Sequence, residues 1–464
     1  MTGNDNPSSS SENLFYLFRV CFVATLGGLL FGYDTAVISG AIGFLQAHFQ
    51  LSSAMMGWAA SSALVGCFMG VPLAGILSDR AGRKKTLLFA ALLFLISALG
   101  SALAQTLTEF VIFRIIGGFG VGIASMTSPM YIAEISPARY RGRMVSLNQF
   151  AIIFGMLVVY FVNYTIAGIS TEAWNITTGW RWMFGSEMIP AFILFILLFF
   201  VPESPRFLCK QGKADKARSV LTKIVGSEEA RHNLHEIENT LRQKQVSLTS
   251  LFRTRLRRVL VIGIALAILQ QITGINVILY YAPEIFRQIS QAGTDTALLQ
   301  TVLVGVVNLT FTVIAIRTVD KIGRRPLMII GSLGMGISLT AIGIAAYLQT
   351  IGPELLIFIL GFIACFALSV GPVTWVILSE IFPTKIRGRA MAIAAFFLWV
   401  ANYVVSQTFP ILNNHPWLVE TFNHGFPFWL YAFFSFVLLL TVYFVIPETK
   451  NRTLEEIEAY WEIR

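Results

Sequence analysis

Charge is what this chain has least of: Asp, Glu, Lys and Arg make up 13% of its 464 residues while 55% are hydrophobic, against roughly 25% charged in an average soluble domain. No soluble fold hides that much apolar surface. Cysteine is also sparse. Cys21, Cys67, Cys209 and Cys365 stand far apart without a CxxC pair or zinc spacing, and read as small packing residues. There is no Walker sequence, no metal-spaced histidine set, no nucleophile elbow and no carboxylate pair in a metal-binding or acceptor pattern. The chain is therefore not read as an enzyme, and neither metal nor cofactor is expected. Gly117-Gly118-Phe119-Gly120-Val121-Gly122 imitates a phosphate loop, but it lies inside an apolar run with no strand before it. Close helix packing explains it better.

What the chain does have is apolar runs long enough to cross a hydrocarbon layer of about 30 Å as helices. Twelve are expected, near 17–40, 55–77, 86–104, 110–133, 145–168, 183–201, 258–283, 297–318, 326–347, 354–379, 390–411 and 426–446. A helix satisfies its own backbone in lipid, whereas an open strand does not, so the fold class is an all-α membrane protein. The first 16 residues are polar and Ser-rich, with Asp5 and Glu12 where a signal peptide would be basic, and the run that follows is too long for a signal core. It reads as an uncleaved first span.

Lys and Arg gather in alternate loops: Arg80, Arg83, Lys84 and Lys85; Arg139, Arg141 and Arg143; Arg317, Lys321, Arg324 and Arg325; Lys385, Arg387 and Arg389. The positive-inside rule makes these loops cytoplasmic, and the net charge of +9 then reports topology rather than nucleic-acid binding. The intervening loops hold few basic residues, chiefly Arg181 and Arg287, which puts both termini inside. The glycosylation pattern at Asn175-Ile176-Thr177 would face outward.

Between residues 203 and 257 the composition turns polar and charged, dividing the chain into six spans plus six. Val220, Ile224, Leu234, Ile237 and Leu241 recur there at helical intervals, so short amphipathic cytoplasmic helices are expected. The predicted organisation is an N-terminal six-helix bundle over 1–202, a helical bridge over 203–257, a C-terminal bundle over 258–448 and a cytoplasmic tail over 449–464. Internal repetition supports it. Asp79-Arg80-Ala81-Gly82-Arg83-Lys84 returns as Asp320-Lys321-Ile322-Gly323-Arg324-Arg325; Glu134-Ile135-Ser136-Pro137 with Arg139, Arg141 and Arg143 returns as Glu380-Ile381-Phe382-Pro383 with Lys385, Arg387 and Arg389; Pro202-Glu203-Ser204 returns as Pro447-Glu448-Thr449. Parallel repeats of this kind place a substrate between the halves near the midplane. Carboxylates beside Arg-rich loops can form a breakable latch, for which the candidates are Asp79, Arg83, Glu134, Arg143 and Glu203 with Asp320, Arg324, Glu380, Arg389 and Glu448. The alternative is that these charges only orient the chain in the membrane.

With Gly179-Trp180-Arg181-Trp182, Pro202-Glu203-Ser204-Pro205-Arg206, Gln270-Gln271-Ile272-Thr273-Gly274-Ile275-Asn276, Gly371-Pro372-Val373-Thr374-Trp375 and Pro447-Glu448-Thr449-Lys450, these motifs resemble the sugar-porter family of the major facilitator superfamily over essentially the whole chain. Within it they look most like the bacterial D-xylose/proton symporters. The resemblance implies the major facilitator fold in a cell inner or plasma membrane, and proton-coupled transport of a pentose or hexose by a chain that functions as a monomer in the lipid bilayer. A facilitative uniporter and a non-transporting sugar sensor are the alternatives.

Sugars offer hydroxyls that donate and accept, and apolar C–H faces, so amides and aromatic rings inside apolar spans are the informative positions. Gln149 lies in the fifth span, and Gln270, Gln271, Asn276 and Tyr280 lie in the seventh. On an ideal helix Gln271 falls off the face shared by the other three, unless the chain bends near Thr273-Gly274. Amides of this kind could also act as helix-to-helix glue. The resemblance assigns sugar contacts to Gln149, Gln270, Gln271, Asn276 and Trp375, with Phe31, Tyr280, Asn308 and Trp399 as further candidates. Where the xylose symporter pattern has an amide before its eleventh-span Trp, this chain has Leu398.

Asp34 in the first span and Arg114 in the fourth would each cost about 2.5–3.5 kcal/mol at the centre of a lone helix, so each needs a partner or a cavity. They are natural partners. A guanidinium favours a carboxylate while desolvation favours the neutral acid, so a small rearrangement can load or unload a proton. The resemblance points the same way, because proton symporters have Asp at this position where facilitative glucose transporters have Asn. Glu187 in the sixth span is a second candidate proton group, and a permanent ion pair that aligns two helices is the alternative role for Asp34 and Arg114.

Overall fold

The computed structural model describes residues 13–242, 254–290, 293–349, 354–382, 386–450, 452 and 456–457. The Ser-rich start, part of the bridge, Pro383-Thr384-Lys385 and most of the expected tail lie outside them. Among the described residues there is no strand, and twelve helices are long and apolar enough to cross a membrane. The first six are Leu14–Phe49, Ser53–Ala81, Arg83–Leu103, Leu107–Ile135, Ala138–Ala167 and Glu172–Phe200. The second six are Arg257–Ile289, Thr294–Ile322, Arg324–Tyr347, Glu354–Ile381, Arg387–Asn413 and Phe426–Phe444. Most overrun the lengths hydropathy predicts, because their ends continue as helix into the polar loops. Three short helices, Pro205–Lys210, Ala214–Val225 and Ser227–Arg242, stand between the sixth and seventh spans and pack on one another. Ile224 and Leu221 are buried there, and the Ile224 carbonyl accepts the Asn13 N–H at the start of the first span.

Close backbone approach builds the first half. A Cβ on Gly118 would collide with the Ala63 carbonyl of the second span, and one on Gly122 with that of Cys67, so the glycine run is a packing face. Asn175 is buried and donates its side-chain amide to the Ala167 carbonyl at 2.9 Å, so the glycosylation pattern does not present an acceptor.

The repeated motifs form two mirrored clusters at the ends of the bundles. In the first half Arg83 bonds Glu134 at 2.8 Å, and Glu134 also accepts the Ser204 hydroxyl. Glu203 accepts the backbone N–H groups of Arg83 and Lys84 at 3.0 and 3.2 Å, capping the start of the third span. In the second half Arg324 bonds Glu380 at 2.9 Å and Asp320 at 3.0 Å, Thr449 donates to Glu380 at 2.5 Å, and Glu448 caps Arg324 and Arg325 at 3.1 and 3.0 Å. A carboxylate at a helix start meets unpaired N–H groups and the positive end of the dipole. Gly82 and Gly323 precede the capped helices at φ +93° and +107°, in the left-handed region, and a side chain at either would strike the capping carboxylate.

Candidate functional site

The two halves touch most broadly where the second span meets the eleventh and the fifth meets the eighth, with a smaller contact between the first and the seventh. Between them lies a cavity of about 1810 Å³ that extends from mid-span to the basic loops, where Asp79, Arg139, Arg143, Arg317, Asp320 and Arg389 line it. The opposite end is shut. The ion pairs Arg83–Glu134, Arg83–Asp79, Arg324–Glu380 and Arg324–Asp320 of the expected latch each lie within one half. In this conformation the charges staple each half internally and the mouth between them stands open.

Gln149, Gln270, Gln271, Asn276, Tyr280, Asn308, Phe31, Trp375 and Trp399 all line this one cavity. The seventh span is broken between Ile272 and Ile275, with Gly274 at φ +84° against the Tyr431 ring, a conformation that favours glycine. The break turns Gln271 inward, where its Oε1 accepts the Asn276 amide at 2.6 Å. Gln270 is 2% exposed and gives its amide nitrogen to the carbonyls of Val370 and Gly371 at 3.1 and 3.0 Å. Val370 closes a π-helical turn, Phe366–Val370, and Gly371 follows it, just before Pro372, which has no N–H to donate. One amide thus ties the seventh span to the loosened tenth, and Trp375 enters the cavity one turn later. Phe31 and Trp399 face each other across the halves with ring centroids 5.4 Å apart, and Leu398 lines the wall beside them.

Asn402 also lines the cavity, donating to the Tyr280 hydroxyl at 3.4 Å and accepting from Ser406 at 3.0 Å. Sequence reasoning missed it. Its position three residues after Trp399 and four after Leu398 places it on their helix face, which is the signal that could have found it.

Asp34 and Arg114 meet as expected, with Arg114 donating to Oδ1 at 2.7 Å and to the Asp34 carbonyl at 3.0 Å. Both are at most 1% exposed, and neither lines the cavity. Glu187 is buried close to them. Asp34 Oδ2 and Glu187 Oε1 have no donor, and the Phe184 ring covers the guanidinium at 5.3 Å. One arginine balances one carboxylate, so the second acid must either hold a proton or bury an uncompensated charge.

Two six-helix halves around a midplane cavity lined by amides and aromatic rings define a transporter of the major facilitator fold. Residues 20–461 match the family model described as sugar (and other) transporter, and the chain belongs to that family. It is 50% identical over 480 residues to the D-xylose-proton symporter of Escherichia coli, covering 98% of this chain and 97% of that one. It is 45% identical over 457 residues to the arabinose-proton symporter of Bacillus subtilis, with the same coverage. Among solved structures, the inward open conformation of the xylose transporter XylE from E. coli superimposes with a TM-score of 0.84 at 48% identity, covering 96% of this chain and all of that one. XylE bound to 6-bromo-6-deoxy-D-glucose gives 0.81 at 49% identity, covering 97% and 100%.

Proposed function

We propose that this chain carries a pentose or hexose together with a proton across a cell's inner or plasma membrane by alternating access, and that the conformation described is open to the cytoplasm. The observation that carries the reading is the cavity between the halves. It gathers amides and aromatic rings from both halves, while the Asp34–Arg114–Glu187 group lies sealed behind it in the first half. The basic loops at the cavity mouth support a cytoplasmic mouth by the positive-inside rule, and the same reading puts both termini on that side. Gln149, Gln271, Asn276, Asn308 and Asn402 supply donors and acceptors to sugar hydroxyls, and Phe31, Trp375 and Trp399 supply flat faces for C–H groups. Asp34 is the coupling acid, Arg114 and Glu187 set its charge, and the mirrored clusters rebuild as a cytoplasmic latch when the mouth closes. The two bundles, joined by the helical bridge, enclose the whole pathway in one chain, which acts as a monomer.

The test is uptake of tracer sugar into proteoliposomes under an imposed pH gradient. Accumulation abolished by a protonophore is the expected result. Equilibration without accumulation would make the chain a uniporter, and no sugar movement would refute transport. A competition panel of pentoses and hexoses in the same vesicles identifies the cargo.

A further inference from the structure

The shut end of the cavity is held by very few polar contacts between the halves, and one side chain makes two of them. Gln407 of the eleventh span accepts the Ser61 hydroxyl of the second span at 2.8 Å and donates to the Ala54 carbonyl at 3.0 Å. Both ends of a single amide are thereby satisfied by the opposite half. The approach is close: a Cβ on Gly57 would lie 2.5 Å from the Gln407 backbone carbonyl oxygen and 3.0 Å from its side-chain amide nitrogen, so the second span has no side chain where the eleventh crosses it. Ser61 is fully buried in this closed end, where the Gln407 side chain accepts its hydroxyl. Across the interface Tyr160 of the fifth span donates to the Leu279 carbonyl of the seventh at 2.7 Å.

We infer that Gln407 is the clasp of the outer gate, an amide whose two bonds to Ser61 and Ala54 weight the protein toward the inward-open state. The inference deepens the alternating-access reading and rests on it. Opening the cavity to the outside separates the second and eleventh spans and breaks both bonds together. In the described conformation the ion pairs Arg83–Glu134 and Arg324–Glu380 at the other end each stay within one half, so the two Gln407 bonds tie the halves together at the end that is closed. Gln407 thus acts on the balance between two conformations without touching sugar or proton.

Ser39 provides a reporter. It is 1% exposed and lines a separate cavity of about 20 Å³ between the first and seventh spans at the same end, with Gly43, Glu284 and Arg287. In a Ser39→Cys background in right-side-out vesicles, the rate of labelling by a membrane-impermeant maleimide measures how often the outer gate opens. Gln407→Leu, close in volume but unable to make either bond, should raise that rate roughly tenfold, since each bond contributes modestly and both are lost. Ser61→Ala should raise it less, and adding Ser61→Ala to Gln407→Leu should change nothing further, because both variants remove the same bond. A Gln407→Leu rate within about twofold of the parent overturns the clasp, as does a further independent increase from Ser61→Ala. Sugar counterflow by the Ser39→Cys parent is measured in parallel. Its absence would refute the transport reading, whereas the labelling ratio alone decides the clasp.

Discussion

Replacing Asp34 by Asn separates carriage of the sugar from its coupling to the proton. In the structure Oδ1 holds Arg114 at 2.7 Å and Oδ2 has no donor. Asparagine keeps the first acceptor and puts an NH₂ at the second position, where it can donate to Glu187, so the group stays packed with a fixed charge count. The fold and the rocking motion should survive. What is lost is the ability to change protonation, and its worth follows from the driving force. One elementary charge moved across 100 mV is worth about 2.3 kcal/mol, which at 1.36 kcal/mol per decade sustains a sugar gradient of about fiftyfold. In energised vesicles the wild-type protein should approach that ratio, and Asp34→Asn should fall to a ratio near one while still exchanging labelled for unlabelled sugar. Accumulation by Asp34→Asn at the wild-type level, still collapsed by a protonophore, would show that the coupling proton binds elsewhere.

Asn276→Ala should raise the apparent KM about tenfold, since a hydrogen bond left unmade to a buried partner costs about 1–3 kcal/mol, and unchanged sugar affinity would remove it from the site. Gln270→Ala should also lower the maximal rate, because it leaves the Val370 and Gly371 carbonyls without their donor; a pure KM effect would deny the link to the tenth span. Leu398→Gln should reorder the preference among xylose, glucose and galactose in a competition assay, and an unchanged ranking would show that this wall does not select. Arg83→Ala should lower the melting temperature in detergent, at a cost of up to about 3 kcal/mol of stability, because Glu134, 11% exposed, loses its cation and keeps only the Ser204 hydroxyl. Arg324→Ala should cost less, because its partners Glu380 and Asp320 are 20% and 79% exposed; equal losses would contradict that ordering.

The features legible in the sequence were those that one residue's own chemistry declares. An apolar run of about 20 residues has few fates other than a membrane span, and an amide in such a run must find polar company, which is why Gln149, Gln270, Gln271 and Asn276 fall on one cavity, joined there by Asn308, which the family resemblance pointed to. Asp34 and Arg114 were legible as a pair for the same reason. What escaped depends on a second, distant residue. Gln407 is unremarkable in its own span, and its partners Ser61 and Ala54 lie more than three hundred residues earlier. The π turn before Pro372 and the left-handed Gly274 are backbone responses to packing that hydropathy does not register. The charge repeats announced that Arg and Glu would pair, but not that in this conformation they would do so inside each half.

The burial of Asp34 has a consequence for the order of unloading. In the described state the cavity is continuous with the mouth at the basic loops, whereas the acid is fully buried and absent from the cavity wall. On the symport reading the two cargoes therefore leave by different doors. The sugar needs only to diffuse out, while the proton must wait until the first or fourth span shifts enough to admit water to the carboxyl. Sugar departs first and the proton second, so a rise in cytoplasmic sugar would slow the cycle at an earlier step than a fall in cytoplasmic pH.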